Sequence, residues 1–318
     1  GLSGFSNKLA RLFQGVYMQY IGHCRFSWFG ISDTGRTIAD LEMAKAVLWH
    51  PLRMAVRFQL FETIMLPSLV AQTDQDFRLL FTVSKAMPDL YHERLERALA
   101  GWGPAEILST ESTDIGRVLR PVIRETNQDG TAPSVHFRID DDDALTHQYI
   151  ARLKTACARL DPGTMVSFPK GFVGFTDGYT AKHTTRLTPN IAIGLALILR
   201  PADRRSPFQI QHRKHSQRVP TFTDPTFYAY QNTVHGVNNT KGYAEVTYLR
   251  TAENDRAIRK LSNSHPALIA GENAADVVDA ALREAFPYTD GPALRSAQET
   301  SLYPERLVEE MGFTGLMP

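Results

Sequence analysis

The sequence predicts an α/β fold, a mostly parallel sheet flanked by helices, and three observations carry that expectation. Segments of strand and helix character alternate as far as residue 139. At 318 residues, 43% hydrophobic and 22% charged, the chain suits one large body or two fused domains. An apolar segment then runs straight into four consecutive aspartates, and ligand sites in such sheets lie at the carboxyl ends of strands.

The elements follow in order. Phe5, Leu9, Leu12 and Phe13 share a helical face beside Lys8 and Arg11. An amphipathic arm over 1–14 of this kind suits packing on the body or peripheral attachment to a membrane surface. Residues 15–28 are rich in Val, Tyr, Ile and Phe and read as a strand entering a loop. From Met54 the apolar spacing turns helical through Phe58, Phe61, Met65 and Leu69, with a break or kink expected near Pro67. Phe77–Val83 is the second strand, Leu90–Leu99 a helix, Ala105–Leu108 a short strand, and Asp114–Glu125 a helix that Asp114 can cap. Ser134–Ile139 is the strand that meets the aspartates, and a helix from beyond Thr146 reaches Leu160. Strands are then expected at Met165–Phe168, Gly171–Phe175, Ile191–Leu199 and Phe208–His212, before a tail from Glu253 returns to helices, most clearly Ala274–Phe286. The expected division is thus 15–168 as the α/β half, 169–252 as a strand-and-loop half of the same body, and 253–318 as a helical tail.

Charge and composition exclude several classes. Lys plus Arg number 35 against 34 Asp plus Glu, a net charge of +1, so no basic field exists to hold a nucleic acid. Cys24 and Cys157 are too few for a disulfide framework or a thiolate zinc site, which favours the reducing cytoplasm. The longest apolar run, Ile191–Leu199, falls well short of the ~20 residues that span a bilayer, and the start of the chain does not read as a signal peptide.

Arg138-Ile139-Asp140-Asp141-Asp142-Asp143-Ala144-Leu145 carries the chemistry. Adjacent carboxylates repel one another, and delivering them at a sheet edge is costly unless a cation or donor groups neutralise them. Hard oxygen ligands at this density suit Mg²⁺ or Mn²⁺ shared with ligand phosphates. The plainer alternative is an acidic turn capping the helix that follows. An EF-hand counted from Asp140 would need Gly where Leu145 stands and a carboxylate where Ala151 stands, and a DDxxD pattern fails at Ala144. A D-x-D element remains, Asp140 with Asp142 or Asp141 with Asp143.

Residues 66–83, LPSLVAQTDQDFRLLFTV, are similar to the first helix and second strand of GT-A (Rossmann-like) glycosyltransferases. Together with RFSWFG at 25–30, VSKAMP at 83–88, RIDDDDAL at 138–145 and TVHG at 233–236, they make the chain resemble a bacterial family of rhamnosyltransferases over about residues 16–240. The resemblance implies a nucleoside diphosphate sugar as donor, held on a divalent metal, with the D-x-D carboxylates touching the metal and the ribose or diphosphate. On that reading Asp142, Asp143 and Asp140 hold the metal and His235 completes its shell, unless His235 is a hydrogen-bonded loop residue. Asp140 and Asp141 also face the nucleotide.

Further donor contacts are expected from Arg25, at the end of the first strand, and from His212, which with Arg213, Lys214 and His215 could neutralise the diphosphate or form a solvated basic loop. Arg138 suits holding the aspartates with its fork, while Lys170 and Tyr179 lie in the half where an acceptor would bind. Where many GT-A relatives carry a base-reading aspartate, this chain has Ser84 and Lys85, with Asp89 the nearest carboxylate. Inverting transfer to a saccharide or lipid-linked acceptor needs a base, for which Asp224 and Asp177 are candidates, although both also suit turn capping. The missing base-reading aspartate motivates the rival reading, a noncatalytic carbohydrate-binding protein on the same fold.

Overall fold

A computed structural model describes residues 18–30, 40–177, 180–209, 218–235, 275–289 and 291–318. The expected arm, His212 with its basic neighbours, and Tyr179 lie outside the described residues, as does the side chain of Asp177.

Strands β1 (Gln19–Arg25), β2 (Arg78–Ser84), β3 (Ala105–Thr110) and β4 (Ser134–Arg138) form the parallel centre of a seven-stranded sheet. After β5 (Ala144–Leu145) come β6 (Met165–Ser167), β7 (Lys170–Asp177), β8 (Thr180–Leu187), β9 (Ala196–Leu199), β10 (Thr221–Thr223) and β11 (Tyr230–Thr233). The large sheet runs β10-β6-β9-β4-β1-β2-β3, and β9 alone points the other way. A second sheet runs β5-β11-β7-β8. Helices are α1 (41–48), α2 (51–70), α3 (Asp89–Leu99), α4 (Ile115–Thr126), α5 (Tyr149–Cys157), α6 (Ala275–Ala285), α7 (Gly291–Thr300) and α8 (Pro304–Glu310).

The mostly parallel sheet flanked by helices is as expected, and most early elements fall within a residue or two of their predicted spans. Asp114 caps α4, accepting from the amides of Gly116 at 2.8 Å and Arg117 at 3.4 Å. Helix α2 widens into a π turn over Phe61–Met65 immediately before Pro67, so the missing proline amide is absorbed by wider winding rather than by a break.

Two expectations are corrected. Only Ala196–Leu199 of the run Ile191–Leu199 is strand. Asn190 and Gly194 take positive φ values of 55° and 68°, so the chain turns through 190–195 while Ile193 and Leu195 remain buried. Phe208 lies in the 3₁₀ turn Pro207–Gln209, not in a strand. Strands β5, β8, β10 and β11 and helix α1 have no counterpart among the expected elements.

The sheet's two faces differ. Cys24, Leu79, Phe81, Val135 and Phe137 belong to one core that includes Phe58 and Phe61 of α2. Gly22 lies on this side, where a Cβ would stand 2.4 Å from Leu79 Cδ1 and 2.6 Å from Phe137 Cζ. Gly22→Ala is therefore expected to cost about 1–3 kcal/mol by overpacking, measurable by urea denaturation. On the opposite face Ile21 and Leu80 pack against Val122 of α4. The same face buries His23 and His136 completely, stacked with centroids 5.1 Å apart and bonded at 2.8 Å.

The tail closes on the first half. Phe313, just after α8, is fully buried, with its ring 5.8 Å from Phe58 and 4.8 Å from Tyr91. It thereby braces α2, the helix that carries Arg53 and Arg57.

Candidate active site

The four aspartates form the crossing between the two sheets. Ile139 extends the pairing of β4 by donating its amide to the His23 carbonyl at 3.1 Å, and Asp143 donates its own to the Asp140 carbonyl at 3.3 Å. The chain then enters β5, which pairs with β11. Asp141, Asp142 and Asp143 are 0%, 4% and 3% exposed, while the Asp140 side chain is 41% exposed. The plainer alternative, a solvated acidic cap, is contradicted for three of the four.

Arg57, 3% exposed on α2, neutralises the turn. Its Nη1 donates to Asp142 Oδ2 at 2.6 Å, and its Nη2 forms an ion pair with Asp141. One turn earlier, Arg53 Nη1 donates to Ser27 Oγ at 3.1 Å and to the Leu48 carbonyl at 2.7 Å. Ser27 has a positive φ of 45°, rare outside glycine, and Trp49 Nε1 also holds its carbonyl at 2.9 Å. Two guanidiniums four residues apart on one helix therefore fix the loop after β1 and the turn after β4.

From the second sheet, β11 reaches the same turn. Asp143 Oδ1 accepts from Asn232 Nδ2 and from the Thr233 amide, both at 2.9 Å. His235 Nε2 lies 2.7 Å from Asp142 Oδ2. Burial holds His235 below its ordinary imidazole value, so the neutral ring donates its Nε2 proton to an ionised Asp142. Burial opposes that ionisation, but Arg57 and His235 outweigh it and hold the Asp142 carboxyl below the ordinary carboxylate range. Asp143 is pushed the other way, by burial first and then by the charges of Asp142 and Asp140.

Arg25 and Arg138 leave the ends of neighbouring strands and stack on one ring, their guanidinium carbons 4.2 Å and 4.8 Å from the Phe208 centroid. Arg138, its side chain 12% exposed, also lies 3.7 Å from Asp140, whose more open carboxylate is partly screened by solvent. Lys170 stands apart, over the Tyr228 ring at 4.4 Å, in a cavity of about 250 Å³ that Arg152, Phe227 and Glu284 also line. Asp224 follows β10, at the same edge of the large sheet as the aspartate turn, but its Oδ1 accepts from the Thr226 amide at 2.9 Å and from Thr226 Oγ1 at 2.6 Å. That is the geometry of a turn cap. The structure thus gathers Asp140–Asp143 and His235 at one turn, with Arg138 beside it and Arg25 at the neighbouring strand end, while Lys170 lines a cavity that includes none of these residues and Asp224 caps its own turn.

Sequence reading missed Arg57, Arg53 and Asn232. The available signal was two arginines at helical spacing inside an otherwise apolar stretch, Arg53-Met54-Ala55-Val56-Arg57-Phe58, where a buried charge needs a buried partner.

The Mn²⁺ or Mg²⁺ expected from the sequence can be tested against these donors. Oxygen and imidazole ligands are the right types. The space between Asp141 and Asp142 is taken by the Arg57 guanidinium, which ion-pairs with both, while Asp142 also meets His235 and Asp143 accepts from Asn232 and Thr233; the two Asp141 oxygens, buried and without a hydrogen bond, have the Arg57 charge as their neighbour. Among the described residues no three His, Cys, Asp or Glu side chains are arranged to hold an ion. The residues as placed do not fit a cation between Asp141 and Asp142.

Residues 19–245 match the family described as "Putative rhamnosyl transferase", and the chain belongs to that family of glycosyltransferases. Among solved structures, the chain is similar to S. aureus TarS 1–349 in complex with UDP-GlcNAc, at 11% identity and a TM-score of 0.36, covering 94% of this chain and 92% of that one. S. aureus TarS itself gives 11% identity and a TM-score of 0.36, covering 92% of this chain and 55% of that one. No curated protein sequence matches. No helix among the described residues is long and apolar enough to cross a membrane.

Proposed function

We propose that the protein transfers a sugar from a nucleoside diphosphate sugar to a hydroxyl of a saccharide or lipid-linked acceptor, with inversion at the anomeric carbon. The observation that carries the proposal is the buried aspartate turn at the end of β4, with Asp142 held between Arg57 and His235 and the guanidinium of Arg138 beside Asp140. The family description supports a deoxyhexose such as rhamnose as the sugar.

In this reading Asp140, the most open of the four carboxylates, meets the donor at the nucleotide side, and Asp142 orients it. Arg25 and Arg138 face the diphosphate and stabilise the negative charge that grows as it leaves. The acceptor oxygen attacks the anomeric carbon from the opposite side, its proton passes to a carboxylate base, and the bond to the diphosphate breaks with both electrons going to phosphate oxygen. Asp177, in the half that would carry the acceptor, is the proposed base; Asp224, the other candidate, would first have to leave the turn it caps through Thr226. The cavity of Lys170 and Arg152 supplies cationic and aromatic contacts on that side.

Calorimetry with uridine and deoxythymidine diphosphates, with and without Mn²⁺, tests the proposal. Binding of at least one is expected, and no binding in either state would remove the donor assignment. Diphosphate release on mixing donor and acceptor separates turnover from the rival carbohydrate-binding role.

A further inference from the structure

We infer that Arg57 supplies at this turn the positive charge that a divalent ion would otherwise bring, and that donor binding therefore proceeds without a cation. The inference rests on the proposed function and specifies its chemistry. Asp141 and Asp142 are adjacent, buried carboxylates, and one planar guanidinium meets both, Nη1 on Asp142 at 2.6 Å and Nη2 on Asp141. A fork of fixed geometry bridges two acceptors in a way that a single ammonium cannot.

The guanidinium is anchored in place. Arg57 stands one helical turn beyond Arg53, itself tied to Ser27 and Leu48, on a helix whose Phe58 is covered by Phe313. A cation arriving between Asp141 and Asp142 would meet a like charge in a site largely shielded from water, where repulsion is strong. Asp140, its side chain 41% exposed, is the most open of the four carboxylates and does not meet Arg57. Arg57 is a positioning residue: it acts on the donor through Asp142.

The test is calorimetry of the full chain with uridine 5′-diphosphate and deoxythymidine 5′-diphosphate in EDTA and in Mn²⁺. Wild-type affinities in the two buffers are expected to agree within about threefold. Arg57→Ala is expected to lose binding in EDTA by about 100-fold and to regain it when free guanidinium ion is added at concentrations that leave the wild type unchanged. Arg57→Lys is expected to behave like Arg57→Ala. Guanidinium rescue is a response that a loss of structure alone would not give. If Arg57→Ala fails to fold, Arg57→Ala/Asp141→Ala removes both charges of one pair, is expected to fold, and should bind only with guanidinium or Mn²⁺ present. Wild-type binding that requires Mn²⁺ would overturn the inference and leave the proposed function standing. Absence of nucleotide binding in both buffers would remove the proposed function, and this inference with it.

Discussion

Asp142→Asn is expected to lower sugar transfer by about 10²–10³-fold with the fold retained, because it removes the charge that Arg57 and His235 orient. The amide has the shape of the carboxylate, and its oxygen keeps two lone pairs, but it is a neutral and therefore weaker acceptor. It cannot accept from both Arg57 and His235 with the strength of an ionised group. Arg57 keeps Asp141 as its partner, so no buried guanidinium is stranded and the larger penalty of a broken buried pair is avoided. Diphosphate release and thermal melting, measured on the same preparation, check both parts. Turnover within about threefold of wild type would contradict the role given to Asp142.

Acidification is expected to destabilise the protein well above the range where carboxylates protonate. His23 is lowered to about 3, by burial first and then by the Arg78 charge. His136 is lowered well below its ordinary value by burial, with His23 and Arg78 adding to the effect. Both are neutral in the native protein, whereas an unfolded histidine takes up a proton near pH 6.5. The sign follows from proton uptake. Above pH 6.5 neither state binds these protons and the stability is fully present; as pH falls below 6.5 the unfolded state gains them and the native state does not. The loss is about 1.4 kcal/mol per pH unit for each histidine, so about 4 kcal/mol between pH 6.5 and pH 5 for the pair. Burial also lowers His183, to about 4, which adds in the same direction. Urea denaturation at pH 7.5 and at pH 5 measures the difference, and His23→Leu/His136→Val should flatten it. A wild-type stability unchanged across that interval would contradict the neutral pair.

The first half of the fold was legible because its signals are local. Helix α4 announces itself through Asp114 and a regular apolar face, β2 through a nearly continuous apolar run that suits a strand buried on both sides, and β4 through the alternation of Val135, Phe137 and Ile139. The second sheet was harder to read because polar side chains face inward along it. In β11 the buried residues are Tyr230, Gln231 and Thr233, and in β8 they are Ala181 and Thr185, so alternation of apolar with polar residues is absent.

The candidate site divided in the same way. Four adjacent aspartates can be seen in any reading, and their charge poses the right question. The answer lies 85 positions upstream of Asp142 at Arg57 and about 90 downstream at Asn232 and His235, distances over which sequence spacing carries no geometry. His235 was found because a resemblance reached it, whereas Arg57 had only its oddity within an apolar helix.

The most direct measurement is a crystal structure of the protein with uridine or deoxythymidine diphosphate bound. Pyrophosphate is expected at the 140–143 turn, in contact with Asp140 and with Arg25 or Arg138. A nucleotide seated elsewhere, for instance in the cavity lined by Lys170 and Arg152, with the aspartate turn untouched, would contradict that placement.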